Sequence, residues 1–150
     1  MSPESQLESF IEKYSPEIQE QAAIVLAKMR ERLPNAIEMV YDNYNALVCG
    51  FSPTDRPSEA IFSVVLYPRY IGICFIQGAG MPDPHGLLQG AGNQVRWIRL
   101  SSPADLDRPE VIETMDIAMD SAKVPFNLEQ PYQLIIRSIS AKQRPRLPKS

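Results

Sequence analysis

Glu4, Glu8 and Glu12 stand at i, i+4 and i+8, so a helix through them lines three carboxylates along one face, opposite Leu7, Phe10 and Ile11. Glu113, Asp116 and Asp120 fall within a narrow arc of a later helical stretch, with Glu110 a turn earlier. Between Asp105 and Asp120 six acids are set against one cation, Arg108. Like charges at helical spacing repel by ~0.2–0.5 kcal/mol per pair, and a hard cation such as iron or calcium would neutralise them through oxygen ligands. The two stripes are therefore candidate metal ligands. A solvated helix face accounts for the same pattern.

A second constellation follows the single histidine. Residues 86–94 carry enough glycine to cradle a phosphate through backbone amides, and Arg96 and Arg99 come next. His85, Gly90, Gly92, Arg96, Trp97 and Arg99 are the candidate ligand-binding residues. The block is not a P-loop, because it has no Gly-Lys-Ser/Thr and leads into a strand rather than a helix. A turn with packing glycines is the alternative, and Trp97 suits a sheet face as well as a ligand platform. Asp83-Pro84-His85 sets a carboxylate beside an imidazole, yet no serine or cysteine lies in a nucleophile motif. No nucleophile, base and orienter can be placed together, so an enzyme is not expected. One histidine and two cysteines do not make a Cys/His zinc tetrahedron without recruited carboxylates. Cys49 and Cys74 sit among apolar neighbours and read as buried reduced thiols.

The elements that must hold these groups are well marked. Ser2-Pro3 and Ser15-Pro16 each pair an N-cap serine with a proline at the first helical position. The first opens a helix with Leu7, Phe10, Ile11 and Tyr14 on its apolar face. The second opens a longer one carrying Ile18, Ala22, Val25, Leu26, Met29 and Leu33 to Pro34. From Ala36 the period changes: Ile37, Met39 and Tyr41 alternate, residues 42–45 read as a turn, and 46–51 as the second strand of a hairpin. Residues 60–67 and 70–77 predict a second antiparallel pair, apolar on both faces and hence central. Residues 94–101 predict a strand. A third helix spans 109–122 with Ile112, Met115, Met119 and Ala122 inward, and 132–139 is a last strand.

Helices first, then strands joined by hairpin-length connections, give an α+β fold: a mainly antiparallel sheet of about five to six strands with two N-terminal helices and one later helix packed on it. A length of 150 residues, 44% hydrophobic with a net charge of −3, suits one domain and excludes disordered and fibrous classes. That domain covers residues 1–140. Residues 141–150 hold four basic residues and no acid, and predict a disordered tail that solubilises or docks a partner. The tail lacks the aromatics that stack on bases, and the chain is acidic overall, so nucleic acid is not the expected partner. No run approaches a membrane span and no leader is evident, which sets the expectation of a cytoplasmic protein.

Four blocks together resemble the YdhG-like family of bacterial domains of unknown function. They are Ile11-Glu12-Lys13-Tyr14-Ser15-Pro16-Glu17, Leu87-Leu88-Gln89-Gly90-Ala91-Gly92-Asn93-Gln94-Val95-Arg96-Trp97-Ile98-Arg99-Leu100, Asp105-Leu106-Asp107-Arg108-Pro109-Glu110, and Ile135-Ile136-Arg137-Ser138-Ile139-Ser140-Ala141-Lys142-Gln143-Arg144-Pro145-Arg146. The resemblance implies a frataxin-like sandwich, since one bacterial member of the broader family is regarded as a frataxin-like iron chaperone. It implies iron as a weakly held ligand, iron-cluster or haem assembly proteins as partners, and a monomer or weak homodimer. Its iron ligands would be exposed helix carboxylates, for which Glu4, Glu8, Glu12, Glu113, Asp116 and Asp120 are the available positions. The block 90–99 carries no carboxylate, which suits the lining of a pocket better than a metal site.

Overall fold

A computed structural model describes residues 1–149. Helix α1 (Pro3–Ile11) begins where Ser2 Oγ accepts a hydrogen bond from the Ser5 amide, and α2 (Pro16–Arg32) where Ser15 Oγ accepts from Ile18. Each cap satisfies an amide that the first turn leaves without a partner. Strands β1 (Ile37–Asp42), β2 (Leu47–Ser52), β3 (Phe62–Leu66), β4 (Ile71–Phe75) and β5 (Arg96–Leu100) follow, then α3 (Pro109–Ser121) and β6 (Gln133–Ile139). No helix among the described residues is long and apolar enough to cross a membrane.

The α+β fold is as the sequence predicts. The six strands form one sheet in the order β5-β4-β3-β2-β1-β6. Every pairing is antiparallel except β6 with β1, which is parallel and carries a bulge opposite Val40 and Tyr41. Arg137 is the extra residue of that bulge, at the outer edge of the sheet, where an irregular strand discourages further pairing.

Register fixes what faces the helices. Leu47, Leu66, Ile71 and Leu100 make one row across the inner face, Cys49, Val64, Ile73 and Ile98 the next, and Phe51, Phe62, Phe75 and Arg96 a third. Phe62 and Phe75 meet edge to face with ring centroids 5.4 Å apart, the arrangement their quadrupoles favour. Helix α1 packs against β6 at one edge, α2 crosses β3 and β4, and α3 follows from β5 at the other edge through a 3-10 turn at Pro103–Asp107. The two thiols are free, Cys49 buried and Cys74 half-buried.

Two expectations need correction. Helix α3 turns Val111, Thr114, Met115 and Ala118 inward and leaves Ile112 38% exposed. Its sequence carries two apolar stripes about 100° apart, and Val111 rather than Ile112 lies on the one that meets the sheet. The segment after β6 is not a free tail up to Lys149. Arg146 is only 4% exposed and reaches Asp42 at 2.9 Å and the Asn43 carbonyl at 2.6 Å. A buried carboxylate on β1 draws the basic segment back onto the domain.

Candidate functional site: a cavity beneath the glycine-rich strap

Between β4 and β5 the chain leaves the sheet as a strap. It opens with a 3-10 turn at Gly78–Gly80, and the Ala79 amide donates to the Gln94 carbonyl, closing its base at 2.9 Å. Beneath that base lies a cavity of ≈ 570 Å³, within the size range of small-molecule sites. Its walls come from the 3-10 turn Pro57–Glu59, Ala60 and Ile61 leading into β3, the end of β4, the strap base and the carboxyl end of α3. Ala60, Gly78, Gly80, Ala118 and Ala122 supply much of the lining, and such small side chains leave unfilled the volume that larger ones would occupy. Ile61 and Phe75 form an apolar floor, while Ser58, Glu59, Gln77, Gln94, Ser121 and Lys123 bring polar groups to the wall and mouth.

The strap itself is closed on its own atoms. Asp83 accepts hydrogen bonds from the Leu87 and Leu88 amides at 3.0 and 3.2 Å, which fixes the turn holding His85 and Gly86. Gly86 has φ +63°, a left-handed conformation that glycine adopts without steric cost. Gln89 and Trp97 exchange both backbone hydrogen bonds, at 2.9 and 3.0 Å. Gly90 takes φ +124°, and a Cβ there would stand 2.7 Å from the Trp97 ring. Its glycine is therefore a packing requirement. Gly92 has open space around it.

Of the predicted ligand-binding residues, Arg96, Trp97 and Arg99 do not converge. Alternation along β5 sends Arg96 to the helical face and the other two to the opposite face. The Arg96 guanidinium donates to the Gly92 and Val95 carbonyls at 2.6 and 2.9 Å. Arg99 lies 4.2 Å over the Tyr70 ring, a cation–π contact, and Trp97 is 42% exposed. The amides that would cradle a phosphate are partly engaged by Asp83, and the arginines that would assist them have other partners. His85 also departs from expectation: its Nε2 lies 2.5 Å from Glu113 on α3, so the carboxylate that orients the ring is Glu113 and not Asp83.

The acidic stripes remain on the surface and apart. Glu4, Glu8, Glu12, Glu113, Asp116 and Asp120 are all exposed, on helices that pack toward opposite edges of the sheet. No group of three or more histidine, cysteine, aspartate or glutamate side chains among the described residues is placed to hold a metal ion. Neighbouring acids are taken up in ion pairs. Asp107 meets Lys28 at 2.5 Å and Arg32 at 2.7 Å, and Lys28 above all holds its carboxyl below the ordinary range. Glu110 is lowered likewise, first by the hydrogen bond from Arg108.

Sequence reasoning named the strap but missed the cavity under it. Glu59, Gln77 and Lys123 come from three separate segments with no shared spacing, so nothing in the linear pattern joins them. The one available signal was the pair Ala118 and Ala122, four residues apart at the end of α3 and its C-cap, where a filled core would place larger side chains. Comparison of the chain with protein-family models, with curated proteins and with solved structures finds no match.

Proposed function

We propose that this chain is a cytoplasmic, YdhG-like domain that binds a small ligand without catalysing its conversion, and that its site is the cavity under the strap. The observation that carries the reading is the cavity itself, ≈ 570 Å³ with an apolar floor and polar groups gathered at its wall and mouth, the composition typical of ligand sites. The free thiols suit a reducing compartment. Iron delivery has less to support it: Glu113 is held by His85, and Asp116 and Asp120 are what the α3 stripe has left.

The test is a screen of small organic fragments by ligand-observed saturation-transfer NMR, on the wild-type protein and on plugged variants. Gly80 lines the cavity, and a Cβ built there meets nothing within 4 Å, so Gly80→Phe starts its ring from open space. Ala122→Phe, at the C-cap of α3, is an independent plug. Fragments that receive saturation from the wild type and from neither plugged variant are the expected outcome. Fragments that bind all three proteins equally, or none at all, would refute the proposal.

A further inference from the structure

We infer that the cavity selects small organic cations, that is, amines carried on an apolar body; this rests on the reading of the cavity as a ligand site. Glu59 lines the wall and is half-buried. Its Oε1 accepts a hydrogen bond from the Thr54 hydroxyl at 2.6 Å, and the Thr54 oxygen in turn accepts from the Arg56 amide at 3.1 Å. The turn thus fixes the carboxylate in one orientation. Among the described residues no lysine or arginine forms an ion pair with it, and the one hydrogen bond its carboxylate accepts is that from Thr54 to Oε1. A carboxylate drawn partly out of water and left without a cation is poised to take one from a ligand.

A second source of negative potential faces the same space. Ala118, Ser121 and Ala122 bring the carboxyl end of α3 to the cavity, and the last turn of that helix contains no basic residue. Its terminal carbonyls carry roughly half a negative charge. In the same lining, Phe75 is 1% exposed and Ile61 7%, a floor for an aromatic or branched aliphatic body. Lys123 is the one cation of the lining and is exposed. Among the described residues it is held in no ion pair, so it is free to turn into water when a ligand ammonium occupies the mouth, and its charge weakens amine binding without preventing it.

Three probes sharing one body and differing in the head group test the assignment by calorimetry on the full chain: 2-phenylethylamine, 3-phenylpropanamide and 3-phenylpropanoate. The amine is expected to bind roughly ten-fold tighter than the amide, and the propanoate more weakly than either. Glu59→Gln, which keeps an acceptor for the Thr54 hydroxyl, should bring the amine to the affinity of the amide and leave amide binding unchanged. Lys123→Met should tighten the amine. Propanoate binding tightest, or an amine affinity indifferent to Glu59→Gln, would overturn the cation assignment while leaving the cavity a ligand site. If no probe binds the wild type, the cavity reading falls with it.

Discussion

Two sets of carboxylates divide this molecule. Glu38 and Asp42 stand on β1 with no exposed surface, and every formal charge they carry is matched. Arg30 forks onto Glu38 at 2.8 and 3.0 Å and Tyr132 donates to it at 2.6 Å; Lys13 and Arg146 reach Asp42 at 2.6 and 2.9 Å. The six carboxylates of the two stripes, Glu4, Glu8, Glu12, Glu113, Asp116 and Asp120, are exposed, and only Glu113 has a side-chain partner among the described residues, His85. Helical spacing made those six conspicuous in the sequence, whereas Glu38 and Asp42 sit among alternating apolar residues and announce nothing. The lesson is that spacing reports which acids share a face, while burial decides what an acid is worth. A surface ion pair contributes ~0–1 kcal/mol; breaking a buried one by removing a partner costs ~3–5 kcal/mol.

The largest effect is therefore expected at Asp42. Asp42→Asn leaves Lys13 and Arg146 facing each other without an anion, and urea unfolding at pH 7 should show a loss of ~3–5 kcal/mol. The same residue gives a pH signature. Burial pushes its carboxyl up, but hydrogen bonds from Lys13, Gln143 and Arg146 outweigh that and hold it below the ordinary range. A carboxyl lowered on folding stabilises the folded state fully above its unfolded pKa, about 3.9. That contribution is lost as the pH falls through the lower folded value. Wild-type stability should drop on acidification below about pH 4, and Asp42→Asn should flatten that part of the curve. A variant as stable as the wild type at pH 7 would erase the distinction between the two sets.

Removing residues 141–150 separates the buried anion from one of its cations while Lys13 stays in place. The expected loss is smaller, ~2–4 kcal/mol, and the truncated chain should still unfold cooperatively. Unchanged stability would restore the free tail that the basic sequence predicts. Tyr14→Phe probes the same end of β1 with no charge involved. The Tyr14 hydroxyl donates to the Leu66 carbonyl at 2.8 Å and accepts from the Leu47 amide at 3.0 Å, in surroundings that push the phenol up to about 12, chiefly by burial. Losing it leaves a buried amide and a carbonyl each short of a partner, at a cost of ~1–3 kcal/mol in urea unfolding.

What could be read from the chain follows the same division between local and distant. The helices were legible because Ser2-Pro3 and Ser15-Pro16 encode their own starts, and the strands because β-branched and aromatic residues cluster between turn residues. The parallel return of β6 beside β1 was not, since it depends on a crossover that no local signal specifies. Nor was the docking of Arg146, whose partner Asp42 lies 104 residues away in the chain. Within the strap, the glycines correctly marked tight backbone, as Gly86 and Gly90 show. The three neighbouring candidates Arg96, Trp97 and Arg99 were separated by an alternation that the strand assignment already implied. Glu59 was invisible because its significance lies in the absence of a cation around it, which only the folded chain defines.

The smallest effect is expected where the sequence pattern is strongest. Replacing Asp116 and Asp120 together by asparagine relieves like-charge repulsion on an exposed helix face, and neither carboxylate accepts a hydrogen bond from another described residue. The melting temperature should stay within about 2 °C of the wild type. Anaerobic calorimetry with Fe(II), and with Mg(II) and Zn(II) as controls, sharpens the comparison. If these acids are solvated surface, Fe(II) gives the same weak heat as Mg(II), and the double variant does not change it. Saturable Fe(II) binding that Mg(II) fails to mimic, abolished by Asp116→Asn with Asp120→Asn, would invert the comparison. The exposed acids would then carry the function and the buried pair only the fold, with iron drawn to two carboxylates one turn apart rather than to a preformed cage.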